Sequence, residues 1–180
     1  MKNNILLFIG ALKECLKKES FEKIPVSDIV ETAGRSRQTF YRCCENKYDL
    51  VNKYLEGIIH DSYRQFDEDF SLHRTLLSKF RIMEPEKDLF SQAFQSHDYE
   101  SLHRYTHRVI YRLYLNLAAK AGVDTFSEEE KMLLDMHCEE SVYATVKWSC
   151  GDILCSPEEM AGLLMEAMPE KLKKIYARFL

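Results

Sequence analysis

The pattern of apolar and polar positions is helical along nearly the whole chain. In the first segment, apolar residues recur at intervals of three and four, which predicts an amphipathic helix ending near Lys18. A capping pattern at Asn46 and Asp49 predicts a long fourth helix to about Phe70. No segment alternates apolar and polar residues as a strand would, and the four prolines and six glycines leave room for long helices. We therefore predict an all-α fold.

The later helices have recognisable start and stop signals. Ser127 and Ser156 are each followed three residues later by a glutamate, as in a capping box, and Gly122 follows a long periodic segment as a C-terminal cap would. Pro169 should break or kink the last helix. The predicted helices in this part of the chain cover approximately 72–83, 85–95, 99–121, 127–151 and 156 onwards.

The segment from Val26 to Tyr41 has the layout of a helix-turn-helix. Pro25 suits the edge of a helix that runs to about Ala33. Gly34 can adopt the left-handed conformation of a tight turn. Ser36 is a suitable cap for a short third helix that ends near Cys43. A plain pair of helices with a solvated polar face would show the same spacing, so the alternative remains open at this point.

The polar residues of the third helix have the chemistry of base recognition. Arg37 can bond guanine with two hydrogen bonds, Gln38 can bond adenine, and the Thr39 methyl can touch thymine. Tyr41, Lys47 and Ser27 suit phosphate oxygens, which position a protein on DNA without specifying the sequence. These residues are our candidates for a double-stranded DNA interface.

Composition and charge agree with a small DNA-binding part on a larger acidic body. The 180 residues carry a net charge of −4. The first 60 residues hold 10 Lys and Arg against 8 Asp and Glu, whereas the remaining residues hold 15 against 21. No run approaches the ~20 apolar residues of a membrane span, and the start lacks a signal-peptide layout. We therefore expect a cytoplasmic protein that does not contact a membrane.

The motif V-S-D-I-V-E-T-A-G-R-S-R-Q-T-F-Y-R, followed by N-K-Y-D-L, resembles the DNA-binding domain of TetR/AcrR-type transcriptional regulators. The resemblance covers residues 21–55, and its characteristic parts are Thr39-Phe40-Tyr41 and Lys47-x-x-Leu50. The ending, with Trp148, Gly151 and the segment 156–159, is similar to a branch that includes dihydroxyacetone-kinase operon regulators. By motif position the resemblance implies DNA contacts at Ser27, Arg35, Ser36, Arg37, Gln38, Thr39, Tyr41 and Lys47.

The resemblance also implies an organisation and a mechanism. A three-helix helix-turn-helix head, residues 1–46, would sit on a helical regulatory and dimerisation bundle, residues 47–180. A homodimer would bind a near-palindromic operator as a repressor, and a small ligand in the body would release it. The alternative is a co-regulator of the same fold that is controlled by a protein partner.

Two surfaces of the body are predicted for these roles. Aromatic residues of the bundle could line a ligand pocket, and our candidates are Tyr54, Ile58, Tyr105 and Tyr114. The last two helices carry more apolar residues than one buried face needs, which predicts the dimer interface there, although intramolecular core is the alternative. The residues in question are 132–148, Met160, Leu163, Leu164, Ala167 and Met168.

The remaining chemistry-bearing residues predict neither an enzyme nor a metal site. His103 and His107 have a spacing that zinc can use, but no third ligand is fixed by a motif, and Arg104 and Arg108 indicate a solvated face. The cysteines, including the vicinal pair Cys43-Cys44, are interpreted as small hydrophobic residues. We expect no cofactor, no metal and no catalytic residue.

Overall fold

A computed structural model of the chain describes residues 2–64 and 71–180, and in these ranges it contains helices and no strand. The all-α prediction is confirmed. The helices are α1 Lys2–Leu16, α2 Val26–Thr32, α3 Arg37–Tyr41, α4 Lys47–Arg64, α5 Leu72–Met83, α6 Lys87–Phe94, α7 Tyr99–Lys120, α8 Glu128–Ser149, α9 Pro157–Ala167 and α10 Glu170–Ile175. Short 3₁₀ turns occupy Phe21–Lys23, Glu84–Glu86 and Ala177–Phe179.

Most predicted helix ends agree with the structure. Ser127 and Ser156 each accept a hydrogen bond from the backbone N–H of the glutamate three residues on, and the serine N–H donates back to that glutamate's carboxylate. Gly122 and Gly151 have φ values of 84° and 82°, which only glycine adopts without strain. The break at Pro169 is confirmed, because α9 ends at Ala167 and α10 begins at Glu170.

Three predicted helix bounds, in α3, α6 and α4, are not reproduced within the described residues. The third helix ends at Tyr41 instead of near Cys43. The helix predicted from Pro85 begins as a 3₁₀ turn, and its α-helical part starts at Lys87. The predicted end of α4 near Phe70 lies outside the described residues.

The first three helices pack against the start of α4. Phe8 of α1 and Phe40 of α3 are fully buried, and their ring centroids lie 5.1 Å apart in an edge-to-face arrangement. Ile29 of α2 and Leu50 of α4 are also fully buried. Burying these side chains supplies the hydrophobic free energy that holds the three short helices together, since helices this short are marginal alone.

The C-terminal helices contribute further aromatic residues to the same continuous core. The Trp148 ring is fully buried, lies edge-to-face with Phe80 at 5.1 Å, and donates from Nε1 to the main-chain oxygen of Cys155 at 2.9 Å. The Tyr176 hydroxyl donates to the main-chain oxygen of Tyr114 at 3.1 Å. These bonds satisfy the polar atoms that the two rings bring into the core. Among the described helices, none is long and apolar enough to cross a membrane.

Candidate nucleic-acid interface

The turn between α2 and α3 is built from Gly34 and Ser36. Gly34 has a φ of 60°, in the left-handed region that its missing Cβ makes accessible. The Ser36 side chain then caps α3 by accepting from the Thr39 N–H at 3.2 Å. The sequence therefore fixes both the reversal of the chain and the start of the short third helix.

The orientation of α3 follows from its single buried residue. Phe40 is 0% exposed, so the opposite face of α3 must point to solvent. Arg37, Gln38 and Tyr41 are exposed, and Tyr41 keeps 55% of its surface free. A short helix with a buried anchor and an exposed Arg-Gln face can enter a major groove.

Seven of the eight predicted DNA-contact residues lie on or next to this helix-turn-helix surface. Arg35, Ser36, Arg37, Gln38 and Tyr41 are exposed, and Ser27 and Thr39 are half-buried. Three of the hydroxyls already have local partners, since Ser27 Oγ donates to Asp28 Oδ1 at 3.1 Å and Ser36 Oγ lies 3.0 Å from Thr39 Oγ1.

The eighth residue, Lys47, is placed differently from what the sequence predicted. Its residue exposure is 8%, and its ammonium group donates to three main-chain oxygens: Phe21 at 2.6 Å, Glu22 at 2.8 Å and Ile24 at 2.9 Å. Burial lowers the pKa of Lys47. All three N–H groups are thus used inside the protein, and the geometry gives Lys47 a structural role instead of a free phosphate contact.

One exposed basic residue was missed by the sequence reasoning. Arg42 directly follows α3, is exposed, and its Nη2 lies 3.4 Å from Thr39 Oγ1. The signal for it was present, because Arg42 ends the first part of the quoted motif, V-S-D-I-V-E-T-A-G-R-S-R-Q-T-F-Y-R.

The 3₁₀ turn Phe21–Lys23, which precedes α2, connects the N-terminal helices to the rest of the chain. The Phe21 N–H donates to Gln92 Oε1 of α6 at 3.0 Å. The Glu22 carboxylate accepts from the His97 N–H at 2.8 Å and from the Tyr48 hydroxyl at 3.1 Å, and lies 2.6 Å from His97 Nδ1. The backbone hydrogen bond from His97 is the main reason why the pKa of Glu22 is lowered. These hydrogen bonds would therefore transmit to this turn any movement of α4 or of the residues between α6 and α7.

A cleft of about 400 Å³ lies between α1, α4 and the end of α5. Tyr54 and Ile58, two of the predicted pocket residues, line it together with Gly57. The other two predicted residues lie elsewhere. Tyr105 donates its hydroxyl to Glu56, which is itself on the cleft wall, and Tyr114 lines a separate small cavity in the bundle. The four residues therefore do not form one pocket.

The predicted dimer surface is divided by the structure. Met160, Leu164 and Met168 have exposures of 1%, 3% and 2%, so they belong to the intramolecular core, and assigning them to a dimer interface was wrong. Other apolar residues of the same helices are exposed. They are Met132, Met136 and Tyr143 on one face of α8, and Leu163 on α9.

His103 and His107 contact acidic residues of α8. His103 Nε2 lies 3.3 Å from Glu139, and His107 Nε2 lies 3.2 Å from Asp135. Within the described ranges, no group of three or more His, Cys, Asp or Glu residues is arranged to hold a metal ion.

Comparisons with known proteins found one similarity in sequence and one in structure. No protein-family model matches it. Over 97 residues it is 25% identical to the HTH-type dhaKLM operon transcriptional activator DhaS of Lactococcus lactis subsp. lactis (strain IL1403). The match covers 52% of each protein, so the chain spans about half the length of this curated relative.

The second similarity is structural. A solved structure of a dihydroxyacetone kinase operon activator, DhaS, superposes with a TM-score of 0.61 at 19% identity, covering 94% of this chain and 96% of the other. Both similar proteins are named as transcriptional activators and not as enzymes, in agreement with the prediction that the chain is not an enzyme. Because the superposition covers nearly the whole of both chains, this protein shares the all-helical fold of a dihydroxyacetone kinase operon activator.

Proposed function

We propose that the protein is a sequence-specific, DNA-binding transcriptional regulator. One observation carries this proposal: α3 is anchored by Phe40 and presents Arg37 and Gln38 to solvent directly after a glycine turn. This combination of rigidity and hydrogen-bonding side chains suits base edges in a major groove. The names of the two similar proteins support a role in transcription.

The contacts divide into two kinds in this proposal. Arg37, Gln38 and Thr39 read base edges, while Arg35, Tyr41 and Arg42 bind phosphate oxygens. Ser27 and Ser36 lie at the starts of α2 and α3 and add local phosphate contacts. Lys47 stabilises the head through hydrogen bonds to three main-chain oxygens and does not contact DNA in this proposal.

The proposed unit is a homodimer on a near-palindromic operator. Residues 1–46 form the head and residues 47–180 the regulatory and dimerisation body. Met132, Met136 and Tyr143 support a dimer surface on α8, since a row of exposed large apolar side chains is costly in water unless a partner covers it. Two heads held by such a body would reach successive major grooves about 34 Å apart.

An effector in the cleft between α1 and α4 would control the heads. The cleft has the size of a small-molecule site, and its apolar residues Tyr54 and Ile58 belong to the helix that starts at the head. The cleft favours a small ligand over the protein-partner alternative. Repression released by that ligand remains our sequence-based prediction. The two similar proteins are named activators, so activation is the alternative sign of regulation.

Selection from random duplex DNA tests the central proposal. The purified protein should enrich an inverted repeat at about 100 mM salt, where nonspecific phosphate attraction is partly screened. A variant with both Arg37→Ala and Gln38→Ala is the matched control, because both side chains are exposed and their removal leaves the buried Phe40 anchor in place. If wild type enriches no motif, or if the control enriches the same one, the proposed readout by α3 is wrong.

A further inference from the structure

Lys79 of α5 is buried in the bundle, and within the described ranges it has no carboxylate partner. Its exposure is 6%, and among the described residues no Asp or Glu lies within ion-pair distance of it. Nζ donates to Thr145 Oγ1 at 3.1 Å and lies 4.0 Å from the centroid of the Phe80 ring. Burying an ammonium group without an anion beside it is unfavourable, and a perturbed buried lysine is therefore a candidate functional group.

The amine lines a small internal cavity. Its volume is about 30 Å³, which is room for about two water molecules or for a molecule of a few heavy atoms. Helices α4, α5, α7 and α8 all contribute to the wall. The residues that carry polar side chains there are Ser62, Tyr63, Thr75, Lys79, Tyr114 and Ser141.

The serine and threonine hydroxyl groups of the cavity wall offer hydrogen-bond acceptors to a ligand. Ser62 donates to the main-chain oxygen of Ile58 at 2.8 Å, Thr75 to that of Ser71 at 3.0 Å, and Ser141 to that of His137 at 2.8 Å. Their hydrogens are therefore engaged within their own helices, and their lone pairs remain available to a ligand. A carboxylate would face these lone pairs, whereas a ligand hydroxyl could donate to them.

From this juxtaposition of a buried amine and acceptor hydroxyls, we propose that Lys79 binds a small hydroxylated aldehyde or ketone as a reversible imine. The lone pair of the neutral Nζ attacks the carbonyl carbon, and the C=O π electrons move to oxygen. That oxygen then leaves as water with both amine hydrogens, and a C=N bond remains. Hydrolysis reverses the step, so no oxidant or reductant is needed.

The surroundings keep Lys79 reactive near neutral pH. Burial lowers the pKa of Lys79 to about 7, so that much of the amine is neutral in the cell's pH range. Burial raises the pKa values of Tyr63 and Tyr114, the other titratable groups on the wall. It also lowers the pKa of His137, whose Nε2 lies 3.0 Å from the Tyr114 hydroxyl, to about 4. Of these groups, Lys79 is the one that changes charge near pH 7.

The regulatory meaning of this site rests on the proposed function, because a ligand beside Ser62 and Tyr63 would act on α4. Imine formation at Lys79 does not depend on the proposed function, and it is tested on the protein without DNA. The probe is glycolaldehyde, which carries one carbonyl and one hydroxyl. Its imine would be fixed with cyanoborohydride at pH 7, and the modified lysines would be identified by peptide mass mapping.

We expect a hydroxyethyl group on Lys79 to form at least about tenfold faster than on Lys174, a lysine exposed on the surface. Lys79→Met should lose this label and keep the slow labelling of the surface. Modification that follows surface exposure and spares Lys79 would overturn the proposal, and the wild-type protein alone decides this if the variant does not fold.

A competition experiment distinguishes a carbonyl ligand from an anionic ligand in this cavity. Acetate, which has a similar size and no electrophilic carbonyl, should leave the labelling of Lys79 unchanged. If acetate suppresses the labelling of Lys79, the cavity binds an anion beside the amine, and the proposed preference for a carbonyl ligand is wrong. Neither result changes the outcome of the DNA selection, so the two proposals fail separately.

Discussion

The ammonium group of Lys47, at the start of α4, donates to the main-chain oxygen of Ile24, 23 residues earlier, at 2.9 Å. It also donates to the main-chain oxygens of Phe21 and Glu22, and these hydrogen bonds hold in place the chain segment that leads into α2. The ring of Phe21 lies 5.1 Å from the same nitrogen. The first residue of the long helix is thereby tied to the segment that positions the helix-turn-helix.

The first prediction concerns the three hydrogen bonds of the Lys47 ammonium group. Lys47→Met should lower the free energy of unfolding by about 2–4 kcal/mol, because three inward-facing carbonyls lose their donor. Urea denaturation measures the change, and Lys18→Met, at an exposed position, is the control. A variant of unchanged stability that binds all DNA sequences more weakly would show instead that Lys47 contacts phosphate.

The second prediction separates base reading from phosphate binding. Arg37→Ala and Gln38→Ala should each relax the preference at one base position per half-site by about 1–3 kcal/mol. Arg42→Ala should weaken binding to all sequences alike and reduce the salt dependence by about one unit per half-site. Binding isotherms on matched and substituted duplexes at several salt concentrations measure both effects. Equal loss of base preference in all three variants would contradict this division.

The third prediction compares two neighbouring leucines of α9. Leu163 is 50% exposed and Leu164 is 3% exposed. Leu163→Glu should produce folded monomers if the outer face of α9 joins the dimer interface, whereas Leu164→Glu should destabilise the fold by about 3–5 kcal/mol by burying an unpaired charge. Sedimentation and thermal unfolding measure the two outcomes. A folded dimer in Leu163→Glu would restrict the interface to α8.

The fourth prediction is a pH dependence of stability. The unfolded state holds a proton on Lys79 up to a pKa near 10.5, while the folded state releases it near 7. The unfolded state therefore binds more protons between these values, and stability rises with pH, by up to about 1.4 kcal/mol per unit from this one group. Below pH 7 both states are protonated and Lys79 adds no slope.

The check compares wild type with Lys79→Met by urea denaturation from pH 6 to about 9.5, below the range where tyrosines titrate. The difference between the two free energies should change with pH above 7 and be flat below it. A difference that stays constant over the whole range would mean that Lys79 keeps an ordinary pKa in the folded protein.

The fifth prediction concerns Gly57, which lies within α4 on the cleft wall. A Cβ built there meets no atom within 4 Å, so an alanine fits. Gly57→Ala should stabilise the protein by about 0.5–1 kcal/mol through its higher helix propensity. Gly57→Leu should fill part of the cleft and weaken a ligand that binds there. Calorimetric unfolding measures the first effect, and destabilisation by alanine would show that α4 bends at this residue.

The local sequence determined the helices and the recognition surface. Ser127, Ser156, Gly34 and Pro169 act through bonds and dihedral angles within a few residues, so their effects could be predicted without tertiary structure. The exposed face of α3 followed in the same way from the position of Phe40.

Tertiary structure alone decided which side chains meet across the chain. Lys47 and Arg42 are both basic residues of one motif, yet one is buried on three carbonyls and the other is exposed, because the partners of Lys47 lie 23 to 26 residues away. Leu163 and Leu164 carry the same side chain on one helix, and only the packing of α9 on α5 separates surface from core. Lys79 showed no sequence signal, since the desolvation that lowers its pKa arises from four helices closing around it.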